Sequence, residues 1–190
     1  MKKFSILTSL AIALSAATLA QADTYTIDPA HTSANFAIDH MGTSTNRGNF
    51  SSLTGTIEYN PTAKTGSVDI TIPIKSLQTN FPKLAEDVMA EQFFNVEKYP
   101  TARFQSTKWQ FKGNKPNKIM GNLTLLGQTH PVTLTATKFN CYTNPRNKAY
   151  TCGGDFETTI DRTQWGMNAA TDLDSMKKVK LNIQVEAAKK

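Results

Sequence analysis

Three histidines and two cysteines are the residues from which this chain could build metal, acid–base or nucleophilic chemistry. His31 lies in "DPAHTS", His40 ends an alternating run, and His130 sits in the turn-like Gly127-Gln128-Thr129-His130-Pro131. No two of them have the i,i+2 or i,i+4 spacing that lets neighbouring side chains close on one metal ion. Asp28 with His31, or Asp39 with His40, can be drawn as a dyad activating a serine. No nucleophile elbow, HExxH or phosphate-cradling Gly-rich loop accompanies either pair. The expectation is structural histidines, with no catalytic residue, metal site or catalytic cofactor. "DRTQWGM", Asp161 to Met167, joins an acid and a base to an aromatic and a Gly turn, and reads as an ion pair closing one end of the fold.

Cys141 and Cys152 enclose "YTNPRNKAYT", rich in turn signals. They lack the CxxC spacing or adjacent His of a zinc or redox site. The N-terminus argues for a disulfide. Met1-Lys2-Lys3 precedes apolar and small residues from Phe4 to Leu19, and Ala20-Gln21-Ala22 supplies a small-x-small cleavage signal. Residues 1–22 therefore read as a secretory signal peptide, with 23–190 as one domain exported to an oxidising compartment. Without Lys2 and Lys3, 19 Lys+Arg stand against 15 Asp+Glu, a net +4. The basic residues are scattered, without the aromatic-interleaved cluster of a nucleic-acid surface. This balance is compatible with transient contact with an anionic membrane surface. The sequence leaves a homodimer open.

The elements that must position these residues are strands. Period-two alternation places Phe36 and Ile38 on one face, then Ile57 with Tyr59, then Val68, Ile70, Ile72 and Ile74. It continues with Ala102 and Phe104, Leu123 and Leu125, Val132 and Leu134, Phe156 and Ile160, and Val179 to Val185. About eight strands with turn signals between them predict an all-β antiparallel barrel, a sheet closed on itself without edges. One segment breaks the period. In "NFPKLAEDVMAEQFFNVEKYP", Leu84, Val88, Met89, Phe93 and Phe94 follow helical spacing behind Pro82, predicting a short helical insertion that lines or gates the lumen. The inward face predicts a lumen lining of Phe36, Ile38, Phe50, Ile57, Ile70, Ile72, Phe104, Leu123, Leu125 and Leu134, with Trp165 and Met167 near one end. The Cys141–Cys152 hairpin tip is expected outside that lumen. A barrel of this size either fills with its own side chains or holds one small ligand.

Five motifs in order carry a resemblance. They are "YTIDPAHTSANFAIDHMG", "STNRGNFSSLTGTIEYNP", "LAEDVMAEQFFNVEKYPTARFQS", "GNLTLLGQTHPVTL" and "IDRTQWGM", spanning Tyr25 to Met167. Together they resemble the YceI-like family of exported bacterial proteins, which share a lipocalin-like, polyisoprenoid-binding fold. Thr32 in place of Ser, Trp165 in place of Phe, and the cysteine hairpin depart from the family pattern. The resemblance implies an eight-stranded antiparallel lipocalin-like β-barrel in the periplasm. Its lumen would hold a polyprenyl lipid or an isoprenoid quinone such as ubiquinone, as a binding or carrier protein. The alternatives are an enzyme acting on such a lipid, or a self-filled stress-related barrel with a protein partner.

Overall fold

The computed structural model describes residues 22–190. Residues 1–21, on which the secretory-signal reading rests, lie outside the described residues. The strands are β1 (Asp23–Ile27), β2 (Ser33–His40), β3 (Ser44–Phe50), β4 (Thr54–Asn60), β5 (Thr65–Pro73), β6 (Leu77–Thr79), β7 (Thr101–Lys112), β8 (Lys115–Leu125), β9 (Gln128–Thr143), β10 (Tyr150–Asp161) and β11 (Lys178–Lys189). One α-helix, α1 (Pro82–Met89), separates β6 from β7.

Eight strands close a ring in the order β1-β4-β5-β7-β8-β9-β10-β11, with β11 returning to β1, all antiparallel. The other three continue ring positions past a break. Along one edge of β11, Ala187 to Lys189 pair with β1 while Val179 to Gln184 pair with β2. Likewise β3 extends β4 and pairs with β2, and β6 extends β5 and pairs with β3. The wall is thus an up-and-down barrel in chain order, as alternation with short turns requires.

Where β5 parts from β7, the ring needs a different closure. Pro73, opposite Thr101, is the last residue of β5. It lacks the N–H that would extend the ladder. A 3₁₀ turn at Ile74–Ser76 follows, tied to the start of β7 by Ile74 N–H donating to Pro100 O at 2.9 Å. β6 then leads to α1, where Pro82 occupies the first helical turn and forfeits no intrahelical bond. α1 buries Ala85, and partly buried Val88, Met89, Phe93 and Phe94 pack onto the barrel core.

Three register shifts interrupt the ladders, and two of them re-aim residues of the inner face. A register shift in β7 between Ser106 and Lys108 inserts a residue relative to β8. Another in β9 sets Lys138 opposite Asp155 but Ala136 opposite Phe156. Each bulge switches which side of the wall the following residues face. Beyond Phe104 the inward residue therefore becomes Trp109, and beyond Ala136 it becomes Phe139.

Candidate functional site: an apolar lumen

Inward side chains leave an elongated cavity inside the ring. Among the predicted residues, Phe36, Phe50, Ile57, Ile70, Ile72, Phe94, Phe104, Leu123, Leu125, Leu134 and Met167 stand on its wall. Ile38 shares their face, opposite Val179, but lies beyond the cavity at the rim. Leu84, Val88, Met89 and Phe93 sit behind the wall; Met89 faces a shallow outer hollow with Lys75 and Val96. Trp165 is 1% exposed and also stands behind the wall, its Nε1–H donating to Leu123 O at 3.0 Å. Of the five predicted helical-insertion residues, then, only Phe94 reaches the lumen. It meets Phe50 edge-on, with ring centroids 5.5 Å apart.

Other wall residues extend the predicted lining. Val179, Leu181, Ile183 and Val185 line the cavity from β11, and Phe156 and Ile160 from β10. The alternation of both strands announced them. Trp109 and Phe139 carried no such signal, because each follows a bulge.

Space for a water-sized atom to move within the cavity amounts to about 200 Å³. A single water needs roughly 10–15 Å³ on this measure, and packed protein interiors hold few voids larger than one. Phe36, Ile57, Val68, Ile72, Leu134, Leu181, Ile183 and Val185 face inward yet remain only half-buried. Their uncovered surface is the lumen surface, so the barrel does not fill itself.

The two ends differ. At the end where β1 begins and β11 finishes, the cysteines form a disulfide between directly opposed residues of β9 and β10. The hairpin tip stays off the cavity wall, with Tyr142 and Tyr150 exposed, but the bridge at its base does not: Cys152 is buried on the wall in period with Phe156 and Ile160, and the β9 bulge turns Cys141 inward to meet it. Around the bridge stand Tyr25, Tyr59, Trp109, Phe111 and Phe139. Tyr59 stacks on Trp109 at 6.2 Å and donates its hydroxyl to Asn114 O at 2.7 Å. A Cβ at Gly66 would stand 2.6 Å from the Trp109 ring, so glycine there admits the indole. Burial, then the nearby Asp23 charge, push the Tyr25 hydroxyl up to about 12, so it stays a donor toward Cys152 Sγ at 3.8 Å.

The opposite end is organised by "DRTQWGM". Asp161 and Arg162 do not pair with each other. The Asp161 carboxylate takes Lys178 Nζ at 2.8 Å across the strand pair and Thr163 Oγ1 at 2.6 Å. Arg162 is 4% exposed and donates to four backbone carbonyls: Met176 and Met167 at 2.9 Å, Ala169 at 2.7 Å and Ala170 at 2.6 Å. Its guanidinium also lies 5.9 Å from the Phe93 ring centroid. Gly166, at φ 82°, supplies the left-handed residue that turns the chain back toward Met167.

The histidines keep to the outside or the seams. His31 Nδ1 lies 2.8 Å from Asp28 Oδ2 in an exposed turn, and this contact raises the imidazole pKa. Asp39 accepts from Gly42 N–H and Ser175 Oγ–H. His130 packs edge-on against Trp165 at 5.1 Å. Among the described residues no group of three potential ligands could hold a metal ion, and no helix is long and apolar enough to cross a membrane.

A closed eight-stranded antiparallel barrel with an apolar, partly unfilled lumen and a helical insertion between β6 and β7 is the architecture these elements build. Residues 25–187 match the model of the YceI-like domain, and the chain belongs to that family. A UPF0312 protein from Vibrio cholerae is 35% identical over 139 residues, covering 72% of this chain and 74% of that protein. The crystal structure of a Campylobacter jejuni YCEI protein superposes with a TM-score of 0.71 at 25% identity, covering 80% of this chain and 90% of the other. A polyisoprenoid-binding domain from Saccharophagus degradans shares the fold, with a TM-score of 0.59 at 13% identity over 87% of this chain and 98% of its own.

Proposed function

We propose that this protein binds and carries a long-chain isoprenoid lipid, a polyprenyl lipid or an isoprenoid quinone such as ubiquinone, with its tail in the barrel lumen. The observation that carries the reading is the unfilled apolar cavity, walled by half-buried aliphatic and aromatic side chains. A flexible hydrocarbon tail suits such a wall because the driving force is area removed from water. Eight to ten buried CH₂ equivalents at ~0.8 kcal/mol each supply several kcal/mol before ordering costs. The role is non-catalytic: the Asp28–His31 pair is exposed and neither residue is on the cavity wall. The leader-like Met1–Ala22 supports a periplasmic location, where such a carrier would exchange its lipid by transient contact with a membrane surface.

Native mass spectrometry of protein purified from the periplasm, followed by organic extraction, tests this. A co-purifying lipid with isoprenoid mass spacing is the expected result. Protein that is empty when isolated and takes up no polyprenyl lipid on incubation would overturn the reading.

A further inference from the structure

Five side chains bearing N–H or O–H groups stand on the cavity wall: Tyr25, Thr32, Tyr59, Trp109 and Arg162. Four have partners inside the protein. Thr32 Oγ1–H donates to Glu186 O at 3.2 Å, Tyr59 to Asn114 O, Tyr25 to the Cys152 sulfur, and Arg162 to its four carbonyls. Trp109 is the exception: its Nε1 is buried and has no acceptor among the described residues. The other indole, Trp165, has Leu123 O. Indole nitrogen only donates, and a buried donor without an acceptor is rare in native structures. Tyr59 and Phe111 stack near Trp109 and offer it ring faces rather than oxygens.

We propose that the Trp109 N–H is the hydrogen-bond donor for an uncharged oxygen of the bound lipid. The oxygen-bearing head then lies toward the disulfide end of the lumen and the tail runs toward Phe94 and Ile74. This rests on the lipid-carrier reading and adds ligand class and orientation to it. The oxygen is uncharged because no Lys or Arg stands on the wall near Trp109; the one cation there, Arg162, is at the opposite end. A phosphate held at Trp109 would be a buried charge without a counter-charge. A ring carbonyl or a prenyl alcohol meets the donor at no such cost.

The test uses lipid-stripped full-length mature protein and three probes: squalene, an isoprenoid hydrocarbon without oxygen; a polyprenyl benzoquinone of similar tail length; and a polyprenyl diphosphate. Trp109→Phe keeps an aromatic ring and deletes the N–H. It should weaken benzoquinone binding about tenfold more than it weakens squalene binding. Independently of any variant, the ¹H–¹⁵N indole resonance of Trp109 should move downfield with benzoquinone but not with squalene. Equal weakening for both probes, no weakening for either, or a diphosphate preferred through Trp109 would overturn the proposal while sparing the carrier reading. Failure of the unmodified protein to take up any of the three would defeat both.

Discussion

Arg162 shows how a charge can sit inside an apolar barrel. Its partner is not the neighbouring carboxylate but a nest of carbonyls from Met167, Ala169, Ala170 and Met176, which one planar fork satisfies at once. Lysine keeps the charge but presents a single ammonium that cannot span that nest. Arg162→Lys should therefore cost about 2–4 kcal/mol in urea unfolding, through carbonyls left without donors. Asp161 works differently. Lys178, then the Thr163 hydroxyl, hold its carboxyl at about 2, below its ordinary 3.8. A carboxylate with a depressed folded pKa stabilises fully above its unfolded value and loses that contribution as pH falls through the folded one. Asp161→Asn should thus lower stability by about 1 kcal/mol near neutrality, allowing for solvent screening at the rim. The gap between variant and parent should close as urea titrations are repeated from pH 5 down to about pH 2.

Among the elements, the β9–β10 hairpin and the insertion after β6 set the two ends of the lumen. The Cys141–Cys152 bridge closes an eleven-residue separation, so Cys152→Ser with Cys141→Ser should lose up to about 3 kcal/mol. Because Cys152 is on the wall, lipid retention should fall with it, and thiol titration of denatured, unreduced protein should find no free thiol. At the other end, Phe94→Ala opens the wall beside Phe50 and should lower lipid retention more than thermal stability. Phe93→Ala, behind the wall against Arg162, should do the reverse, at about 3–4 kcal/mol. Thermal melts paired with lipid assays on both variants separate the two. Where sequence pattern sufficed and where it failed follows from the strands themselves. Ile70, Ile72, Leu123 and Leu125 alternate without interruption, so period two alone put them on the inner face. A bulge leaves no mark in composition, so Trp109, Phe139 and the inward turn of Cys141 were hidden behind the shifts in β7 and β9, whereas Cys152 keeps the period of Phe156 and Ile160. Helical spacing in the insertion marked an apolar stripe but not its depth, which only Phe94 among its five residues resolves in favour of the lumen.

For the molecule as a whole, the closed ring makes inside and outside a strict distinction. Ile72→Asp places a charge on the cavity wall, whereas Thr71→Asp places the same charge on the other side of β5. The first should abolish lipid uptake or folding and the second should preserve both, as lipid binding and circular dichroism will show; the opposite pattern would mean that the lumen is not where lipid binds. The barrel also separates its two tryptophans. Trp165 is sealed behind the wall with its N–H engaged, while Trp109 stands on the lumen. The protein consequently contains a built-in pair of chromophores, one a constant reference and one exposed to whatever fills the tube. Intrinsic fluorescence should resolve into a component indifferent to ligand and another whose emission wavelength and quenching follow occupancy, a label-free gauge of loading in which Trp165→Phe isolates the responsive signal.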